Sequence, residues 1–145
     1  ELNKLGADEI FSEEENYWKS IDDITGGKGI KLALNSVGGE SAINLLKALS
    51  PGGTHVTFGA MSFDSIRFPT RQLIFDEIKL TGFWVDGWLR FHSKEEVDMM
   101  FEEIYALIKE GTFSTIVEKW YSLSAFKEAL EHAAKPRFGK ILFRG

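Results

Sequence analysis

Apolar runs of strand length alternate with helical segments over the first 60 residues, and glycine-rich corners separate them. Residues 30–35 (IKLALN) are short and mostly apolar, as expected of a strand that is buried on both faces. Residues 40–49 repeat apolar side chains at helical spacing, and residues 54–59 form another strand that ends at a glycine. A regular alternation of strands and helices predicts an α/β fold around a parallel sheet.

The flanking segments extend this pattern. Residues 8–11 are predicted to form a short strand, and Ser12 with Glu15 has the spacing of a capping box, so a helix is expected to begin at Glu13. Residues 71–75 favour a short helix, and Ile78–Val85 is predicted to be a further strand.

The second half of the chain begins with another capping-box pattern, formed by Ser93 and Glu96. A long apolar stripe follows it and predicts a helix that Gly111 closes. The last third reads as strand, helix and strand over residues 114–121, 124–134 and 140–143.

Composition excludes several classes of protein. The chain has 145 residues, a formal charge of −5 and no cysteine, so a nucleic-acid partner, a disulfide scaffold and a thiolate metal site are not expected. The three histidines have no metal-ligand spacing, so no metal site is predicted. No apolar stretch approaches the roughly 20 residues of a membrane helix. Because the chain begins with Glu1 and with what reads as the end of a helix, we expect it to be part of a longer protein.

Two glycine-bearing corners follow consecutive predicted strands, at Asn35–Gly39 and at Phe58–Met61. Ligands of open parallel sheets bind outside the carboxyl ends of the strands, and glycine lets backbone approach a ligand closely. A single corner of this kind is more often a simple turn than a ligand site. Two such corners in register make the two interpretations about equally probable. No G-x-G-x-x-G motif is present.

Two further features could contact a ligand. Phe83-Trp84 could line an apolar pocket beside a flat ring, although core packing explains the pair equally well. Lys140 could meet a phosphate as a point charge, although an isolated lysine is more often solvated.

Three segments together resemble a known family: LALNSVGGESAINLLKALSPGGTHVTFGAMS, LIFDEIKLTGFWVDGW and KPRFGKILF. They are similar to mitochondrial trans-2-enoyl-thioester reductases of the medium-chain dehydrogenase/reductase superfamily, which are relatives of the quinone oxidoreductases. The resemblance covers nearly the whole chain. It implies a partial Rossmann-type parallel sheet, with strands three to six present and the first two missing, followed by a strand-helix-strand segment of the GroES-like catalytic domain.

The resemblance also implies an activity. It suggests that the parent enzyme uses NADPH to reduce the 2,3 double bond of an enoyl thioester carried on acyl carrier protein or coenzyme A, in mitochondrial fatty acid synthesis. The cofactor-binding residues that it implies are Asn35, Phe58, Gly59, Ala60, Met61, Phe83, Trp84, Val85 and Lys140. Trp84 is also expected to face the substrate.

By the same resemblance, residues 1–112 belong to the dinucleotide-binding domain and residues 113–145 return to the catalytic domain. The catalytic tyrosine and the pyrophosphate site would then lie outside the sequence, so no catalytic residue is predicted and the isolated chain is expected to be inactive. Four apolar side chains of the last third would lack their usual partner and should be exposed: Trp120, Leu123, Phe126 and Leu130.

Two other interpretations stay open. The chain could come from a quinone reductase of the zeta-crystallin type. It could also be a non-catalytic dimerisation module, in which the Lys79–Val85 strand pairs with a second copy across a two-fold axis. A mitochondrial matrix location is implied by the resemblance alone.

Overall fold

The computed structural model describes residues 2–13 and 15–145. The chain divides into two compact units, residues 1–90 and 91–145. The elements of the first part are a 3-10 turn (Leu2–Leu5), α1 (Trp18–Thr25), β1 (Ile30–Asn35), α2 (Gly39–Ala48), β2 (Leu49–Thr57), α3 (Thr70–Phe75), β3 (Lys79–Gly82) and α4 (Val85–Phe91). Those of the second are α5 (Lys94–Lys109), β4 (Val117–Ser122), a 3-10 turn (Leu123–Ala125), α6 (Phe126–Ala133) and β5 (Lys140–Arg144).

The first unit is built on a parallel sheet in the order β1-β2-β3. Helix α2 joins β1 to β2, and α3 lies in the connection from β2 to β3. Parallel neighbours need such crossover connections, because each strand must start again at the same end of the sheet. The predicted α/β class with a parallel sheet is therefore confirmed.

The core of this unit lies between the sheet and helix α2. Its buried residues are Ala33, Leu46, Leu49 and Ile78. The opposite face of β1 is open, since Leu32 and Leu34 are 55% and 59% exposed. The expectation that β1 is buried on both faces is therefore wrong, because α2 covers only the face that carries Ala33.

Two predictions near the amino terminus are also wrong. Residues 8–11 are not a strand; a strand requires a neighbour for its ladder hydrogen bonds, and no described strand pairs with this segment. Helix α1 begins at Trp18 instead of Glu13. Ser12 lies in a turn instead, where its carbonyl accepts a hydrogen bond from the Glu15 N–H at 3.1 Å. The intervening Glu14 lies outside the described residues.

Strand boundaries differ from the predictions in two places. Helix α2 ends at Ala48, and β2 begins at once at Leu49, so Pro51 and the glycines after it lie inside the strand. A register shift opposite β1 accommodates them. Strand β3 ends at Gly82 instead of Val85, because the Trp84 carbonyl already accepts the first helical hydrogen bond of α4, from the Trp88 N–H at 2.9 Å.

The second unit confirms four sequence predictions. The Ser93 and Glu96 capping box is present, with each side chain accepting a hydrogen bond from the other residue's N–H at 3.2 Å and 2.8 Å. Gly111 follows α5 in the left-handed conformation (φ 79°). Strands β4 and β5 pair in parallel, and α6 connects them. The four apolar side chains expected to be exposed are so, at 48%, 67%, 50% and 62% for Trp120, Leu123, Phe126 and Leu130.

No helix among the described residues combines the length and apolar character needed to cross a membrane.

Candidate functional site

Strands β1, β2 and β3 end side by side at one edge of the first sheet. Asn35 pairs with Thr57, and Thr57 pairs with Gly82. The ladder continues one residue further, since the Phe58 N–H donates to the Asn35 carbonyl and the Phe83 N–H donates to the Thr57 carbonyl, both at 2.9 Å. The two predicted corners and the aromatic pair therefore leave the same carboxyl edge, where ligands of open parallel sheets bind.

Asn35 shapes the first corner. Its side chain is 1% exposed, and its Oδ1 accepts a hydrogen bond from the Gly38 N–H at 2.9 Å. Gly38 and Gly39 both have positive φ (87° and 52°), a backbone conformation that residues other than glycine rarely adopt. Asn35 thus fixes the loop that enters α2, and its predicted contact with a cofactor stays a prediction.

The second corner packs against the first through its backbone. The Met61 N–H donates to the Ser36 carbonyl at 3.2 Å, and the Ser62 N–H donates to the Val37 carbonyl at 2.9 Å. A Cβ on Gly59 would lie 2.7 Å from the Ser36 carbonyl oxygen, so this close approach requires glycine. The side chains of Phe58 and Met61 are left 52% and 74% exposed at the edge.

The third segment adds aromatic surface to this edge. Phe83, Trp84 and Val85 are 49%, 66% and 54% exposed. Core packing therefore does not account for the Phe83-Trp84 pair in the described chain. Together with Phe58 and Met61 these side chains give the edge an exposed apolar surface, which suits a flat ring.

The predicted residues of this edge carry no ionisable side chain, so they can bind and orient a ligand but cannot move a proton. The nearest buried ionisable group on the central strand is His55, which is 1% exposed. Its Nδ1 lies 3.4 Å from the Thr57 Oγ1, and its Nε2 has no hydrogen-bond partner among the described residues. Burial lowers the pKa of His55, so the ring stays neutral at neutral pH, as a structural histidine would.

Lys140 belongs to the second unit and is the first residue of β5. Its side chain is exposed, and its N–H donates to the Ile116 carbonyl at 2.7 Å. The turn before it is held by Glu118, whose Oε2 accepts hydrogen bonds from the Phe138 and Gly139 N–H groups at 3.0 Å and 3.1 Å.

Sequence reasoning missed Glu118. Its Oε1 lies 2.8 Å from the His132 Nε2, and the His132 Nδ1 lies 2.9 Å from the Tyr121 hydroxyl. The backbone hydrogen bond from Gly139 and the bond to His132 lower the pKa of Glu118. Glu118 and Tyr121 lie on β4, whereas His132 lies on α6, so no local spacing could have indicated that the three side chains meet.

An open parallel sheet whose loops leave a shared carboxyl edge places the first unit in the class of α/β ligand-binding domains. The zinc-binding dehydrogenase family model matches residues 1–110. The chain therefore belongs to that family, within the medium-chain dehydrogenase/reductases. The residues present do not suit a zinc ion, since the chain has no cysteine and its described residues include no group of three histidine or acidic side chains that could hold a metal.

Curated proteins similar to this chain are named as mitochondrial enoyl-[acyl-carrier-protein] reductases. The mitochondrial enoyl-[acyl-carrier-protein] reductase of Dictyostelium discoideum is 37% identical over 143 residues, covering 96% of this chain and 40% of that protein. The structure of Etr1p with NADP and crotonyl-CoA is 27% identical with a TM-score of 0.78, covering 91% of this chain and 40% of that one.

A structure described as an NADPH:quinone reductase from Bacillus thuringiensis has a TM-score of 0.83 at 22% identity, covering 97% of this chain and 43% of that one. At that identity the likeness shows the fold alone. The chain spans about 40% of the length of these relatives.

Proposed function

We propose that this chain forms the nicotinamide side of an NADPH-dependent 2-enoyl-thioester reductase. The observation that carries the proposal is the shared carboxyl edge, where segments 35–39, 58–61 and 83–85 leave three parallel strands in register. NADPH, when bound, supplies the hydride that reduces the β-carbon of the enoyl thioester. The names of the relatives with 33% identity or more support the same activity.

Each predicted residue has a role in this proposal. The exposed side chains of Phe58 and Met61, with the Gly59-Ala60 backbone between them, lie along the nicotinamide half of the cofactor. Phe83, Trp84 and Val85 contact the nicotinamide ring, and Trp84 also faces the acyl chain. Asn35 supports the site by fixing its loop, and Lys140 meets a phosphate of the cofactor.

The proposal extends to the larger protein. Residues 1–112 would be part of the dinucleotide-binding domain, in which β1, β2 and β3 are the fourth, fifth and sixth strands, and residues 113–145 would belong to the catalytic domain. The enoyl group would be carried on acyl carrier protein or coenzyme A. The relatives are named as mitochondrial, which supports a mitochondrial location, and the matrix is the proposed compartment.

A second copy of the chain is the proposed assembly partner, bound through the free edge of β3. The paired strand is shorter than the predicted Lys79–Val85, because β3 covers only Lys79–Gly82 and Val85 begins α4. One of the solved relatives is a heterodimer of two 2-enoyl thioester reductase chains, Etr1p and Etr2p, which supports pairing of similar chains.

The cofactor role can be tested by titrating the ¹⁵N-labelled chain with NADPH and following its backbone amide signals. We expect the largest shifts at Gly59, Ala60 and Phe83, while Gly27 at the opposite end of the sheet stays unchanged. Signals that do not move at millimolar NADPH, or that move most at Gly27, would contradict the proposed site.

The enzymatic prediction and the quinone alternative need a second measurement. The chain alone should not oxidise NADPH with crotonyl-CoA, because it carries no residue predicted to handle the proton. In the NADPH-saturated chain, crotonyl-CoA should shift the Trp84 signals more than a benzoquinone does. The reverse order would favour the quinone reductase.

A further inference from the structure

The Trp84 indole lies against the first turns of α4. Gly87 is buried beneath it, and a Cβ on Gly87 would lie 2.7 Å from Cε3 and 3.3 Å from Cζ3 of the indole. The six-membered ring therefore occupies the space that any larger residue at position 87 would need. Trp84 nevertheless stays 66% exposed, so the ring rests on the helix and presents its remaining surface outward.

The backbone of Gly87 does not explain why glycine stands there. Gly87 is not among the glycines with positive φ, and glycine inside a helix is less stable than alanine. What glycine provides at this position is room for the indole.

Arg90 lies on the same ring. Its guanidinium carbon is 5.7 Å from the ring centroid of Trp84, within the range of a cation–π contact. Arg90 is itself held by Asp86, with an Nη2 to Oδ2 distance of 2.8 Å one helical turn earlier. The indole therefore packs on the backbone of Gly87 and lies beside the guanidinium of Arg90, which Asp86 holds in place.

We propose that Gly87 and Arg90 are positioning residues that set the orientation of the Trp84 indole, and that this orientation selects the length of the acyl chain. The second clause rests on the proposed function, in which Trp84 faces the substrate. When the indole packs on Gly87, the volume on the side of the ring away from α4 stays open to the acyl chain. A methyl group at position 87 would lie 2.7 Å from Cε3 of Trp84. It therefore pushes the indole away from α4 and into this volume.

The position of the ring can be measured without a ligand. In the full chain labelled with 5-fluorotryptophan, the Trp84 resonance is assigned by its loss in Trp84→Phe. Gly87→Ala should move that resonance while Trp18 and Trp120 keep theirs. Alanine favours the helix, so loss of folding is not expected. Arg90→Lys keeps the charge but loses the planar guanidinium, and should give a smaller shift.

The matched control is Lys94→Gln, which breaks the ion pair of Lys94 with Asp98 four residues on and should leave the Trp84 resonance in place. An unchanged Trp84 resonance in Gly87→Ala would overturn the inference, and so would an equal movement of all the tryptophan signals.

Substrate selection is measured separately, as the ratio of dissociation constants for crotonyl-CoA and trans-2-decenoyl-CoA. One methylene in an apolar pocket is worth about tenfold or more, so Gly87→Ala should change the ratio by roughly tenfold, and Lys94→Gln should not. A moved ring with an unchanged ratio would overturn the selection. If the wild-type chain binds neither thioester, the proposed function fails, while the ligand-free spectra still decide the positioning.

Discussion

His55 shows how a single residue of the central strand can couple folding to pH. It pairs with Ala33 on one side and Leu80 on the other and is almost fully buried. In the part of the chain that the structure describes, its Nε2 has no hydrogen-bond partner. A protonated ring here would be a buried charge, which burial disfavours. Burial accordingly lowers its pKa from the ordinary 6.5.

The sign of the effect follows from proton binding. Below pH 6.5 the unfolded chain binds a proton at this position, whereas the folded chain does so only below its lowered pKa. The stability that the neutral ring contributes is therefore present above pH 6.5 and is lost as the pH falls from there through the lowered pKa. Thermal unfolding between about pH 7.5 and pH 5 should show this fall.

The variant His55→Gln should flatten this part of the profile, and His92→Gln should retain it. An identical pH profile in the wild type and His55→Gln would show that His55 is not the source.

At the scale of elements, two identical patterns behave differently. Ser12 with Glu15 and Ser93 with Glu96 share the same spacing, but only the second begins a helix. Behind Ser93, helix α5 continues for 16 residues with an apolar stripe, whereas α1 has eight residues and begins six positions after Ser12. A capping box lowers the free energy of a helix end but does not create the helix.

Ser93→Ala removes the side chain that accepts the Glu96 N–H hydrogen bond. We expect a loss of about 1 kcal/mol in the free energy of unfolding, as for other amino-terminal caps. Urea denaturation followed by circular dichroism measures it. Ser114→Ala, in an exposed loop, is the control and should change stability by less than about 0.5 kcal/mol. Equal losses in both variants would contradict a capping role.

The connection from α6 to β5 depends on one carboxylate. Glu118→Gln replaces the charge that accepts the Phe138 and Gly139 N–H groups, so amide hydrogen exchange at these two positions should become faster. Because these bonds and His132 lower the pKa of Glu118 from its ordinary 4.5, the wild type should lose stability as the pH falls from 4.5 through the lowered value.

The variant Glu118→Gln should lose that acid-dependent step. Glu128→Gln, an exposed position on α6, is the control and should exchange like the wild type. Unchanged protection at Phe138 and Gly139 in Glu118→Gln would show that the Glu118 carboxylate does not hold this turn.

Sequence reasoning succeeded where the signal is local and failed where it depends on neighbours. The strand Ile30–Asn35, the capping box at Ser93 and the common edge of the corners follow from periodicity, spacing and the geometry of parallel strands. Three features depend on which segments pack together: the lack of a strand at residues 8–11, the open face of β1 and the Glu118 network. Local pattern carries no such information.

At the scale of the whole molecule, the chain exposes much apolar surface. Leu32 and Leu34 on β1, and Trp120 and Leu123 in the second unit, are each about half exposed or more. Among the described strands β3 lies at an edge of its sheet, and an edge strand can pair with another chain. Exposed apolar surface of this kind marks association sites or aggregation liabilities.

We therefore expect the chain to associate as its concentration rises, with light scattering giving a mass above 16.4 kDa. Because the Phe83 N–H points inward to Thr57, the Gly82 N–H points to the outer edge of β3. Gly82→Pro removes that donor and should weaken association if the edge is the contact. Trp120→Gln should weaken it if the apolar surface of the second unit is the contact. A mass of one chain at all concentrations would contradict both routes.

The aligned ends of β1, β2 and β3 have a consequence for how this edge can change. Neighbouring strands are held about 4.8 Å apart by their hydrogen bonds. The backbones of Asn35, Thr57 and Gly82 are therefore fixed at regular intervals over a distance of about 10 Å. Substitutions in the loops that follow these three residues can change which chemical groups contact a ligand. The distances between the points at which these loops leave the sheet stay the same, because the strand spacing sets them.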